Sequence, residues 1–238
     1  TIGIMGYAGD YGGDYAKGVQ AAAEANGLTV AWEYIVPSPE FDVAQAVGLM
    51  VTKPVDAYFP AIGPTHMAQV AGGAFQQGLT PLSMMAAPSF NDAFVREGFA
   101  LAPLFTSGSM YLMAFVAPYE AETAGHATMR ATFTAMGIDS ANTFLVAGWS
   151  SQHHLKGVLE AANKGGDLTR AGIRRAAGSV YVDSDGMMPQ RELGQNRADA
   201  ESFIAVPDGT IASGVKLLAG NYVGPSAGGY DWESGPCS

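Results

Sequence analysis

Apolar strand-like runs alternate with helical stretches through the first hundred residues, and this beat restricts the fold more than any other feature of the sequence. Strand candidates are Thr1–Met5, Thr29–Val36, Ala57–Ile62, Pro81–Ala86 and Phe99–Phe105. Helical stretches lie between them at Tyr15–Ala25, Asp42–Thr52 and Thr65–Gln77, with a shorter one around Asn91–Glu97. The first helix ends at Asn26-Gly27, a good C-cap pair, because Gly accepts the left-handed conformation that closes a helix. Strand, helix, strand with short connections requires parallel pairing and right-handed crossovers. The expected product is an α/β fold with a doubly wound, mainly parallel sheet. Ligand groups in such a sheet belong at the carboxyl ends of the strands.

After residue 106 the beat changes. Thr106-Ser107-Gly108-Ser109 reads as a polar break that could carry the chain from one lobe to another. Two helices are expected at roughly Pro118–Met136 and Ala147–Asn163, and Thr169 or Asp167 should cap a third. Glu201–Val206, Pro207-Asp208-Gly209 and Thr210–Leu217 read as a hairpin with an Asp-Gly turn signal. Residues 224–238 form a Gly/Pro/Ser tail. Thr1–Met5 already reads as a buried strand with no initiator Met or leader before it, so an N-terminal stretch is expected to be missing.

Composition narrows the function classes. Apolar residues make up 48% and charged residues 14%, which suits a globular chain and argues against disorder. Gly, Pro or a polar residue interrupts every apolar run short of the roughly 18 residues that a membrane span needs. Twelve basic residues against 22 acidic ones give a net charge of -10, which argues against nucleic acid and anionic membrane surfaces as partners. Cys237 is the single cysteine, so no disulfide can form within this chain and no Cys-based metal site exists. It is either an inert tail residue or half of a bridge to a segment outside this sequence.

Four motifs invite a catalytic, cofactor or metal reading, and each falls short. Gly6-Tyr7-Ala8-Gly9-Asp10-Tyr11-Gly12-Gly13 sits where a dinucleotide fingerprint would, but its glycines have the wrong spacing for a pyrophosphate turn. Two Tyr and one Asp on such a loop better suit a small organic ligand, held by aromatic faces and a few directed polar groups. A tight turn with both Tyr packed on neighbouring helices is the plain structural alternative. Gly148-Trp149-Ser150-Ser151-Gln152 resembles a nucleophile elbow, yet Gln152 replaces the Gly that lets such a turn approach its neighbours. A helix N-cap at Ser150 or Ser151 accounts for it better. His153 and His154 point about 100° apart on a helix and do not chelate one ion together. Asp183-Ser184-Asp185-Gly186 lacks the downstream acids of a calcium loop. Neither a metal nor a nucleotide cofactor is expected.

In this order, several local pieces resemble the type I periplasmic binding proteins of the branched-chain amino acid family, which serve ABC importers. They are Thr1–Met5 with Asp10-Tyr11-Gly12; Pro54-Val55-Asp56-Ala57 leading into a strand that ends at Gly63-Pro64; and Gln77-Gly78-Leu79. Ala147-Gly148-Trp149 and Gly166-Asp167-Leu168-Thr169-Arg170 complete the set. The resemblance covers most of residues 1 to 220 and begins where that family crosses into its second lobe. It implies that residues 1–106 and 199–238 form the second lobe, and that 107–198 return to the first.

The resemblance further implies a non-catalytic receptor that closes on a small, partly apolar carboxylate or amino-acid-like ligand between two lobes and hands it to an importer permease. A periplasmic or extracellular location follows, a cell-surface lipoprotein included. Carried over by position, the ligand-binding candidates are Tyr7, Asp10 and Tyr11 on the first loop. Gly63, Pro64 and Thr65 follow the third strand, and Met85, Ala87 and Ser89 follow the fourth. Amino-acid binders of the family place an acid near that last loop, because a buried ammonium needs a partner. Ala87 stands there instead, which favours an aromatic or aliphatic carboxylate over a free amino acid. The rival readings are a ligand sensor of the same fold, an α/β hydrolase using Ser150, and a nucleotide-dependent oxidoreductase.

Overall fold

A computed structural model describes residues 1–189, 191–192 and 201–227. The elements run β1 (Ile2–Tyr7), α1 (Asp10–Ala25), β2 (Val30–Val36), α2 (Val43–Thr52), β3 (Ala57–Ala61), α3 (Pro64–Gln76), β4 (Leu82–Ala86), α4 (Ala102–Phe105) and β5 (Met110–Ala114). There follow α5 (Ala124–Ala135), α6 (Thr143–Lys164), α7 (Arg170–Ala177), β6 (Tyr181–Val182), β7 (Arg191–Glu192), β8 (Glu201–Pro207) and β9 (Val215–Val223). Seven strands form one sheet in the order β2-β1-β3-β4-β5-β8-β9. The first five are parallel, and β8 and β9 add antiparallel to β5. The doubly wound, mainly parallel α/β sheet expected from the βα beat is therefore what forms.

Alternation along β1 explains how the sheet is covered on both faces. Ile2 and Ile4 pack with Ala16, Val19 and Ala23 of α1. Met5 faces the other way, into a core with Trp32, Tyr34, Tyr58, Met67, Met85 and Phe105. Strands buried on both faces carry continuous apolar runs, as β1 does. Gly3 is required there, since a Cβ would lie 2.1 Å from the Trp32 ring. That indole is fixed in turn by donating to the Lys53 carbonyl at 3.0 Å. Among the described residues, no helix is long and apolar enough to cross a membrane.

Four expectations need correction. Phe99–Phe105 is not a strand: its second half is α4, with Pro103 in the first turn, where a missing N–H costs nothing. Its aromatic residues pack as a cluster, Phe94 against Phe99 at 5.4 Å and Phe94 against Phe105 at 4.6 Å. The fifth strand is Met110–Ala114, so Thr106–Ser109 is the turn into β5 of the same sheet, with Gly108 at φ 88°. The hairpin pairs as expected, but its second strand starts at Val215. Asp208 captures the Thr210 amide at 2.8 Å and its hydroxyl at 2.6 Å, holding 210–214 as a loop. Finally, α6 starts at the Asn142 cap, which accepts from Leu145 N at 3.1 Å, so neither Ser150 nor Ser151 caps a helix.

A separate core gathers Val116, Tyr119, Met129, Phe133, Val146 and Met187 from the segment around α5 and α6. His126 is buried beside it, its Nδ1 2.8 Å from Thr123 Oγ1 and its Nε2 3.2 Å from the Ala117 carbonyl. Burial holds this imidazole below its ordinary value of 6.5, against the weaker pull of the Ala117 carbonyl. A folded-state value below the unfolded one means that the unfolded chain binds more protons in between. The stabilisation is therefore complete above 6.5 and is lost as pH falls through the depressed folded value. The midpoint of thermal unfolding should fall between pH 7 and pH 5 by an amount that His126→Gln reduces, on the order of one histidine's linkage. Identical pH slopes for parent and variant would remove His126 from the acid response.

Candidate ligand-binding site

The sheet opens where β3 and β4 part. Pro60 brings no N–H to the ladder, and pairing between these strands covers only Ala57↔Leu82 and Tyr58↔Ser83. On the other side, β3 stays paired with β1 through Gly6↔Ala61. In such sheets the usual ligand position lies outside the carboxyl ends of the strands at the topological switch point, which in the order β2-β1-β3-β4-β5 falls between β1 and β3, beside this gap.

Ser89 closes the floor of that crevice. It lies in the 3-10 turn Ala87–Ser89 after β4 and is fully buried. Its hydroxyl donates to the Pro60 carbonyl at 3.3 Å and accepts from Ile62 N at 3.2 Å, replacing the ladder bonds that Pro60 interrupts. Tyr11 reaches it from α1, with 3.5 Å between the two hydroxyl oxygens. Tyr11 is 39% exposed, and partial burial raises its phenol above the ordinary value of 10.0.

The loop after β1 is shaped by backbone contact. Gly9 precedes α1 at φ 103°, and a Cβ on Gly12 would lie 2.1 Å from the Tyr7 carbonyl oxygen. Asp10 is exposed in the first turn of α1, where a carboxylate complements the helix dipole. Gly63 precedes α3 and Pro64 opens it, while Thr65 is exposed. The Tyr7 hydroxyl lies against this turn: a Cβ on Gly63 would stand 3.0 Å from it. Tyr7 Oη is also 2.6 Å from Nδ1 of His66, whose ring stacks on Phe41 at 4.9 Å and 22°.

The loops bearing Tyr7, Asp10, Tyr11, Gly63, Pro64, Thr65 and Ser89 thus come together at one edge of the sheet. Met85 and Ala87 turn inward. Met85 belongs to the main core, and Ala87 packs with Ala114, Ala117 and Phe203. Sequence reasoning missed His66 and Phe41. The signal for His66 was its place three residues after Gly63, in the first turn of a helix that opens at the crevice. Among the described residues, no group of His, Cys, Asp and Glu could hold a metal ion. Ser150 is buried within α6 and donates to the Val146 carbonyl at 2.8 Å, so it sits on no strand-to-helix elbow. An apolar groove of about 630 Å³ runs along α1 between Tyr15, Val19, Phe59, Met84 and Met113, and none of the candidate residues lines it.

A family model described as periplasmic binding protein matches residues 1–210. Among solved structures, the chain is similar to a fatty acid ABC transporter substrate-binding protein from Thermomonospora curvata. The TM-score is 0.84 at 23% identity, over 96% of this chain and 59% of that one. A branched chain amino acid ABC transporter protein from Thermus thermophilus with bound valine gives 0.67 at 12% identity, over 95% and 61%. A leucine binding protein from Thermotoga maritima gives 0.66 at 11% identity, over 92% and 59%. The chain therefore spans about three fifths of the length of these structures. No curated protein matches it.

Proposed function

The chain belongs to the periplasmic binding protein family, and we propose that it is part of an extracytoplasmic receptor that captures a small carboxylate with an apolar body for an ABC importer. Capture is non-catalytic. The observation that carries this reading is the convergence of Tyr7, Tyr11 and the start of α3 on the crevice where β3 and β4 separate. These groups offer aromatic faces and hydrogen-bond donors. Asp10 is the sole acid on the three loops, and its exposed position at the start of α1 suits solvent better than a buried ammonium. A fatty acid fits that description, and the similarity to the Thermomonospora curvata protein supports the class.

Two lobes would close on such a ligand. In this reading residues 1–106 and 199–238 form one lobe, whose sheet continues through Ala114, and the remainder of 107–198 contributes to the other. Exposed apolar side chains at Phe115, Leu145 and Leu155 support a second lobe built with further chain. The permease of the importer is the partner.

A thermal-shift screen of the full-length protein tests the class. Aromatic and branched or linear carboxylates should raise the melting temperature more than leucine, isoleucine or valine. Saturable stabilisation by a free amino acid alone would overturn the reading. Tyr11→Ala should weaken carboxylate binding by about 1–3 kcal/mol, the range for losing an aromatic contact with its hydrogen bond. Calorimetry showing unchanged affinity, with the fold intact, would remove Tyr11 from the site.

A further inference from the structure

Tyr7 and His66, both half-buried, share one short hydrogen bond, 2.6 Å between Oη and Nδ1, at the start of α3. Phe41 backs both rings, stacked under His66 and edge-on to Tyr7 at 5.7 Å. The bond can be made in three ways, and each leaves a different face for a ligand. With neutral imidazole protonated at Nε2, Tyr7 donates to Nδ1, leaving an N–H donor and a phenol lone pair. With the proton on Nδ1, that N–H donates to Tyr7, leaving an O–H donor and a bare Nε2. Imidazolium leaves two donors, Nε2–H and Tyr7 O–H, together with a positive charge. Only the last is complementary to an anion at every position.

Among the described residues, no Lys or Arg is bonded to Tyr7, Tyr11 or His66 in the contacts that hold them. Tyr7 comes from β1, Tyr11 from α1 and Phe41 from the segment before α2. The nearby acids are engaged elsewhere or solvated: Asp42 accepts from Ala44 N and Gln45 N, while Asp10 and Glu40 are exposed. The two helices that start at this edge, α1 and α3, carry Gly at the N-cap and have no side-chain cap bond. No N-cap side chain occupies their first amides, although Asp10 stands in the first turn of α1 and Pro64 brings no N–H to the start of α3.

We infer that His66 and Tyr7 form a proton-sharing pair that recognises the ligand's carboxylate, His66 taking up a proton from solvent as the anion enters. The uptake balances: one solvent proton goes to the imidazole, its charge offsets the carboxylate, and the Tyr7 hydroxyl turns outward to donate. This inference rests on the proposed carboxylate-binding role and names the residue that sets the charge preference.

The test is calorimetry on the full-length protein near neutral pH in two buffers of different ionisation heat, with octanoate and phenylacetate as probes and their amides as neutral controls. Each carboxylate should bind with net proton uptake, and each amide should bind at least about 10-fold more weakly without it. His66→Gln should abolish the uptake and weaken carboxylate binding by about 10- to 100-fold, the range for a hydrogen bond to a charged group, so that the gap between each acid and its amide narrows. Tyr7→Phe keeps the edge contact with Phe41 and should weaken the carboxylates while retaining uptake. Carboxylate binding without proton uptake, or with undiminished affinity in His66→Gln, overturns the His66 inference and leaves the ligand class standing. Amides that bind as tightly as their acids, or no binding by any of the four probes, overturn both.

Discussion

Gly12→Ala is expected to destabilise the parallel sheet by about 3 kcal/mol or more, at the upper end of what overpacking does. An added Cβ would lie 2.1 Å from the Tyr7 oxygen, 2.7 Å from its nitrogen and 2.9 Å from its carbonyl carbon. All three are backbone atoms of β1, which is paired on one side with β2 through Tyr7↔Val36 and on the other with β3. None of them can rotate away as a side chain would. Relief requires α1 to lift from the end of β1, which also displaces Tyr11. The neighbouring glycine supplies the control, since nothing lies within 4 Å of a Cβ on Gly13. Gly13→Ala should therefore stabilise by up to about 1 kcal/mol through helix propensity alone. Denaturant unfolding of both variants reads the contrast. Equal effects of the same sign would show that α1 does not press on β1 as described.

Phe105→Ala should cost about 3–5 kcal/mol, the usual loss for a buried aromatic residue. Phe105 is fully buried and meets Phe94 at 4.6 Å and Phe99 at 6.3 Å, while Phe94 also meets Phe90 edge-on at 5.8 Å. These rings anchor the segment between β4 and β5, which begins with the turn that carries Ser89. Losing the anchor should loosen the floor of the crevice along with the core. Equilibrium unfolding measures the loss, and a value below about 1 kcal/mol would mean that the cluster repacks freely.

Much of the sheet was legible because its strands are punctuated. Asn26-Gly27 and Gln77-Gly78 end helices where Gly27 and Gly78 take φ 65° and 75°, and apolar runs follow both. The fifth strand was misplaced because aromatic residues in Phe99–Phe105 mimic a strand, although Pro103 suits a helix start. Tyr7 and Tyr11 could be found from their place after β1. The pairing of Tyr7 with His66, 59 residues apart, depends on how α3 packs beside β1, which no local pattern carries. Met84 and Met85 illustrate a further limit. Adjacent residues in a strand face opposite sides, and the sequence does not mark which faces the main core. Met85 does, whereas Met84 lines the groove along α1. Ser150 was read too close to a helix start because the cap lies eight residues earlier, at Asn142.

A crystal structure of the full-length protein with octanoate tests the central claim most directly. The account predicts the carboxylate against Tyr7, Tyr11 and His66, where β3 and β4 part, with a second lobe closed over it. Octanoate lying instead in the apolar groove between α1 and Phe59, Met84 and Met113, with the crevice vacant, would contradict it.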